Sequence, residues 1–219
     1  MIGRIVKILS NDYTVEIQNK KYICKARGKF RNHNQTPLVG DYVDFDPNTN
    51  YILNIKPRKN TLPRPHVANI DTSYIITSLK EPDFSSALLD KLILISEYNH
   101  INPVIVFTKQ DLLTKEEKEK IKPILKYYQN LGYKVFLNNQ ITEIEQTFKD
   151  KFCVFTGQSG AGKSTLINKI DPSLNLQTNE ISKALNRGKH TTRHTEALEL
   201  AGGLVADTPG FSALDLSNL

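Results

Sequence analysis

Residues 151–170 read KFCVFTGQSGAGKSTLINKI. The first six form an apolar, aromatic and β-branched run suited to a buried strand, and the last five have helical character. Between them, Gly157-Gln158-Ser159-Gly160-Ala161-Gly162-Lys163-Ser164-Thr165 is the complete G-x-x-x-x-G-K-[ST] pattern, with the strand before it and the helix after it that the pattern needs. Each residue type has a chemical reason. Glycines let consecutive backbone N–H groups turn inward around a β-phosphate, at a helix N-terminus that already favours anions. Lys163 would reach the β- and γ-phosphates, and the Ser164 hydroxyl would ligate Mg2+. An ATPase, a kinase or a GTPase can use such a loop, so the stretch decides an α/β fold before it decides a nucleotide.

The same grammar extends upstream. TSYIITSL (72–79), PVIVFT (103–108) and YKVFLN (133–138) read as buried strands. Asp90 to Asn99, KEEKEKIKPILKYYQNL (115–131) and ITEIEQTFKD (141–150) read as helices. Strands alternating with helices imply a parallel sheet covered on both faces. The N-terminal part differs. GRIVKILS, YTVEIQ, KYICKAR, DYVDFD and YILNIKP are five short strands, with turns expected at Asn11-Asp12 and Asn19-Lys20 and a longer polar connection from Gly28 to Val39. Five such strands fit an all-β oligonucleotide-binding (OB-like) barrel, with a small SH3-like barrel as the alternative. The connection GKFRNHNQT mixes cations with Phe30 and His33, a composition suited to phosphates and bases. The proline-rich stretch KPRKNTLPRPH (56–66) marks a linker. The expected division is a barrel at 1–58, a linker at 59–70 and an α/β P-loop domain at 71–219.

Charge sharpens this division. Residues 1–66 hold 12 Lys and Arg against 5 Asp and Glu, whereas residues 67–219 hold 17 against 18. The formal net charge of +6 therefore belongs to the first segment and points to a polyanion partner, most simply nucleic acid. No segment has the length of a transmembrane span, and MIGRIVKILS is too short in its apolar run for a signal peptide. Cys24 and Cys153, far apart in apolar surroundings, read as reduced thiols of a cytoplasmic protein and supply no zinc ligand set. A membrane protein and a disulfide scaffold are both excluded.

Thr108-Lys109-Gln110-Asp111 directly follows the strand PVIVF and resembles the [NT]KxD guanine-specificity motif. The Asp111 carboxylate can accept from guanine N1–H and the exocyclic amine, a pair of donors that adenine lacks. The Lys109 stem can lie over the purine face. Thr108 stands where Asn is commoner. Asp207-Thr208-Pro209-Gly210 follows the apolar strand GLVA and resembles the DxxG switch motif. Asp207 would hold Mg2+ through water, and the Gly210 N–H would sense the γ-phosphate. Between the two phosphate motifs lies GKHTTRHT (188–195), where a threonine, Thr191 or Thr192 with Thr192 preferred, would complete the Mg2+ ligands. Three motifs of compatible spacing make this a GTP- and GDP-binding chain.

Their order is unusual. An ordinary GTPase runs from the P-loop through the switch threonine and DxxG to NKxD, whereas here TKQD comes first and DTPG last. Such rewiring keeps a site intact when natural termini lie close together. A basic five-strand barrel, RPHVANID at the junction (64–71), a GKHTT switch and this permuted order closely resemble the ribosome-small-subunit-dependent GTPase A family (RsgA) over the whole chain. The resemblance implies an OB-like barrel, Mg2+-dependent GTP hydrolysis stimulated by the small ribosomal subunit, a role in late maturation of that subunit, and contact with its rRNA through the barrel and the switch region. A monomer is expected. It also implies a C-terminal domain with Cys and His zinc ligands. The sequence given stops nine residues after Gly210 without them, so it is expected to be a piece of a longer chain. The Ser-Ala element of the guanine pocket is replaced by Leu137-Asn138-Asn139, from which Asn138 is expected to offer its N–H to guanine O6. Phe211-Ser212 follows DTPG in place of a water-orienting Gln, so intrinsic hydrolysis is expected to be slow, with His190 as the candidate catalytic residue that orients water. Two other functions are kept: an RNA-binding module that uses GTP only as a conformational switch, with negligible turnover, and an ATP-using P-loop enzyme.

Overall fold

Alternating inward and outward residues build the first five strands of the computed structural model, which describes residues 1–26, 30, 36–63, 66–175 and 194–207. These strands are β1 (Ile2–Leu9), β2 (Asp12–Ile17), β3 (Lys20–Ala26), β4 (Tyr42–Asp46) and β5 (Tyr51–Ile55). Their inward residues, among them Ile5, Val15, Cys24, Val43, Phe45 and Ile52, are wholly buried in one core. The pairing order is β1-β2-β3-β5-β4, with β4 returning to β1 and β3 running parallel to β5, so the barrel closes. The β2–β3 turn falls at Gln18-Asn19, one residue earlier than expected. Both residues have positive φ, 49° and 60°, which suits the twist of a two-residue hairpin. Phe30 corrects a sequence expectation. It is only 8% exposed and packs into the barrel core, so it offers no face to a base; His33 lies outside the described residues.

The proline-rich stretch is pinned rather than loose. Its prolines interrupt continuous structure, yet the three-residue strands β6 (Thr61–Pro63) and β7 (His66–Ala68) pair antiparallel. Arg58 donates from Nε and Nη2 to the two carboxylate oxygens of Asp41, both at 2.7 Å, and Asp41 is wholly buried. The Asn60 side chain donates to the Ile70 carbonyl and accepts from the Ile70 N–H, each at 2.8 Å, as a neighbouring strand would.

The α/β part follows: β8 (Thr72–Ser78), α1 (Ser86–Tyr98), β9 (Asn102–Thr108), α2 (Lys115–Asn130), β10 (Lys134–Leu137), α3 (Ile141–Glu145), β11 (Phe152–Thr156), α4 (Lys163–Ile170), β12 (His194–Leu200) and β13 (Gly203–Asp207). Strands β10-β9-β8-β11-β13 are parallel in that order, as the apolar runs predict. Alternate residues of β8 serve opposite faces. Tyr74 and Ile76 pack with residues of α3 and α4, whereas Ile75 packs under α1 and α2. Helix α1 starts earlier than the expected Asp90, because the Ser85 hydroxyl accepts the Leu88 N–H and caps it there. Strand β12 is antiparallel to β13 and also to β1, so the barrel and the α/β sheet join as one eleven-stranded sheet. Among the described residues no helix is long and apolar enough to cross a membrane.

Candidate functional site

Because β8, β9, β10, β11 and β13 are parallel, their C-terminal ends share one edge, where ligands of open α/β sheets bind. The phosphate loop leaves β11 at that edge, TKQD leaves β9, Asn138-Asn139 leaves β10 and Asp207 closes β13. Motifs 108–111, 138–139, 157–165 and 207 are thus brought together by topology alone. His190, Thr191, Thr192 and Gly210 lie outside the described residues.

The loop starts at buried Gly157, with φ 132°. A Cβ built there would stand 2.0 Å from the Ile76 carbonyl oxygen, so only glycine lets β11 pass β8 and turn. Gln158, Ser159 and Gly160 are exposed, Ala161 is buried, and Gly162 takes φ 93° as the N-cap of α4. Ser164 is buried in the first turn of that helix and Thr165 is exposed. Lys163 folds back over the loop and donates to the Gly157 and Gln158 carbonyls at 2.7 and 2.8 Å. Burial holds its pKa down, at about 8, and no described carboxylate pairs with it. A partly desolvated ammonium on a ring of backbone amides is a site that gains from an anion.

Thr108 is 1% exposed and donates its hydroxyl to the Ala161 carbonyl at 2.6 Å. The C-terminal end of β9 is therefore bonded to the loop that follows β11, through a hydroxyl that also lies 3.3 Å from the Thr77 carbonyl. Lys109 follows in the left-handed region, with φ 59°, and its Nζ donates to the Glu81 carbonyl. Asp111 lies in the short 3-10 turn Gln110–Leu112, exposed, with no described partner for its carboxylate. Asn138 requires a correction. Its N–H already donates to the Phe107 carbonyl at 2.9 Å, extending the β9–β10 ladder, and so is not free for a base. No described acceptor takes the N–H of Asn139, the neighbouring residue, which is exposed at the same edge. Only the register of β10 reveals which of the two N–H groups is taken.

Residues 55–217 match the family model described as RsgA GTPase, and residues 2–52 match the RsgA N-terminal domain. The chain belongs to the RsgA GTPase family. Small ribosomal subunit biogenesis GTPase RsgA 2 of Oceanobacillus iheyensis is 51% identical, covering 99% of this chain and 77% of that protein. Small ribosomal subunit biogenesis GTPase RsgA of Latilactobacillus sakei is 49% identical, covering 99% and 76%. Among solved structures, that of YloQ, a circularly permuted GTPase, matches with a TM-score of 0.80 at 38% identity, over all of this chain and 74% of that one. YjeQ from Thermotoga maritima matches with a TM-score of 0.81 at 34% identity, over 96% and 75%. The RsgA architecture accounts for the motif order: an N-terminal barrel leads into a circularly permuted GTPase domain, so TKQD precedes the G-x-x-x-x-G-K-S loop.

Among the described residues no three His, Cys, Asp or Glu side chains gather into a metal cage. The buried Ser164 hydroxyl at the mouth of the loop suits an ion held mainly by phosphate and water oxygens, which is how Mg2+ accompanies a nucleotide.

Proposed function

We propose that this chain hydrolyses GTP to GDP and phosphate as a late assembly factor of the small ribosomal subunit. The hydrogen bond from Thr108 to the Ala161 carbonyl carries the reading, because it fixes a base-reading motif against a phosphate loop on one sheet edge. The names of the relatives supply the subunit.

In this reading Asp111 accepts from guanine N1–H and N2, Lys109 covers the purine face, and Thr108 sets their distance from the loop. The Asn139 N–H, in place of that of Asn138, points to guanine O6. The amides from Gly157, Gln158, Ser159, Gly160, Ala161 and Gly162 through Thr165 cradle the phosphates, and Lys163 neutralises them. Mg2+ would be held by Ser164, Thr192 and, through water, Asp207, and would offset charge developing on the phosphates. Gly210 reads the γ-phosphate, and His190 orients the attacking water. The domain division is 1–58 for the barrel, 59–70 for the junction and 71–219 for the GTPase. The basic barrel and the switch region face rRNA, in a cytoplasmic monomer.

A second reading, GTP as a conformational switch for an RNA-binding module, is favoured by Phe211-Ser212 standing where a water-orienting Gln would follow DxxG. Turnover separates the two. GTP hydrolysis is measured with and without purified small ribosomal subunits, with ATP as control and His190→Ala alongside. Slow GTP turnover that rises with subunits, none with ATP, and loss of the stimulated rate in the variant are expected. Stimulated turnover that survives His190→Ala removes His190 from the mechanism. No GTP turnover under any condition leaves the switch reading.

A further inference from the structure

The loop from β8 to α1 is a segment that no sequence motif singles out. It begins at Ser78, the Cα partner of Thr108 across β8–β9, and the Leu79 N–H donates to the Thr108 carbonyl at 3.1 Å. The Ser78 hydroxyl donates to the Lys80 carbonyl at 2.6 Å and folds the chain sharply. Lys80 then reaches across to α2. Its Nζ donates to both carboxylate oxygens of Glu117, at 3.0 and 3.1 Å. Glu117 is the residue whose carboxylate also accepts the Thr114 N–H at 2.7 Å and closes the capping box of α2, the helix that opens just after Asp111.

The next residues face the site. The Glu81 carbonyl receives the Lys109 Nζ, and Pro82 lies against the phosphate loop, its Cδ 3.8 Å from where a Cβ on Gly160 would stand. Phe84 closes the loop on Phe107, ring centroids 5.8 Å apart, one residue before Thr108. One short segment thus touches the residue that precedes TKQD, the Lys within it, the helix cap that follows it, and the phosphate loop opposite.

We infer that residues Lys80–Phe84 form a brace that sets the guanine-reading residues against the phosphate loop, with Lys80 as a positioning residue for base specificity. The Lys80–Glu117 pair holds the α2 cap that directly follows the 3-10 turn carrying Asp111, and the Glu81 carbonyl holds the Lys109 ammonium. Asp111 accepts two hydrogen bonds from guanine only while its turn is held in place. Loosening the brace weakens the bonds made to N1–H and N2 and leaves the phosphate contacts in place. This inference rests on the guanine-nucleotide reading of the site.

The test is equilibrium binding of GDP and inosine diphosphate, which lacks the exocyclic amine, to the full chain and three variants. Lys80→Ala removes the ammonium, Glu117→Gln removes the charge and keeps an oxygen for the Thr114 N–H, and Lys80→Arg retains the pair. Lys80→Ala and Glu117→Gln are expected to lower the GDP-to-inosine diphosphate affinity ratio about threefold, the size of a half-exposed ion pair, while Lys80→Arg keeps the ratio. Thermal melts of each variant separate this from loss of fold. Unchanged ratios in both charge-removing variants overturn the brace. A wild-type protein that does not prefer GDP overturns the guanine reading instead.

Discussion

At the scale of the residue, Lys163 carries the most unusual chemistry. Burial lowers its pKa from 10.5 to about 8. Between those values the unfolded chain holds more protons than the folded one, so the stability of the free protein rises with pH through that window. The desolvation penalty is fully present below pH 8. A bound diphosphate reverses the balance by favouring the ammonium. GDP binding at pH 8.5 is therefore expected to take up a fraction of a proton, read by calorimetry in buffers of different ionisation enthalpy, and Lys163→Ala should lose that uptake along with affinity. Equal uptake in the variant would locate the proton elsewhere. At this scale the places of 108–111 and 157–165 at strand ends were legible, because each directly follows a strong apolar run. That the Asn138 N–H is already taken was not, because which N–H a strand end consumes depends on the register of its neighbour. Phe30 misled for a related reason, since a loop composition rich in cations does not say which way one ring points.

Elements were legible where the apolar pattern is strong and local. The run FCVFT (152–156) is buried throughout, as an interior parallel strand must be, and the amphipathic charged run became α2 with its capping box at Thr114 and Glu117. Strand β12, HTEALEL, escaped notice because Glu, Ala and Leu favour helix and its strand character comes from neighbours. It lies between β13 on one side and β1 on the other, and tertiary pairing overrides propensity. The short pair β6–β7 escaped for the opposite reason. Prolines exclude a long strand but leave room for two strands of three residues each.

On the scale of the whole molecule, the basic N-terminal excess was legible, whereas the join between the two parts was not, since pairing between residues nearly two hundred positions apart leaves no local trace. Lys7 meets Glu196 at 2.9 Å across β1 and β12. The Arg4 guanidinium lies over the Tyr42 ring of the barrel and the Phe152 ring of the GTPase sheet, at 4.6 and 5.1 Å. Arg58 fastens the junction to Asp41. Asp41 is wholly buried and, among the described residues, keeps only the Leu38 N–H once the half-buried Arg58 is removed, so Arg58→Ala is expected to destabilise the protein by about 2 kcal/mol, read as a fall in the urea midpoint. An unchanged midpoint would show that Asp41 finds its bonds elsewhere. The proposed function depends above all on guanine being read by Asp111. The deciding measurement is competition binding of GDP and xanthosine diphosphate to the wild-type chain and to Asp111→Asn. An amide in place of the carboxylate can donate to the xanthine 2-carbonyl and no longer accepts two guanine donors, so the preference is predicted to pass from GDP to xanthosine diphosphate. Retention of GDP preference by Asp111→Asn would mean that Asp111 does not read the base.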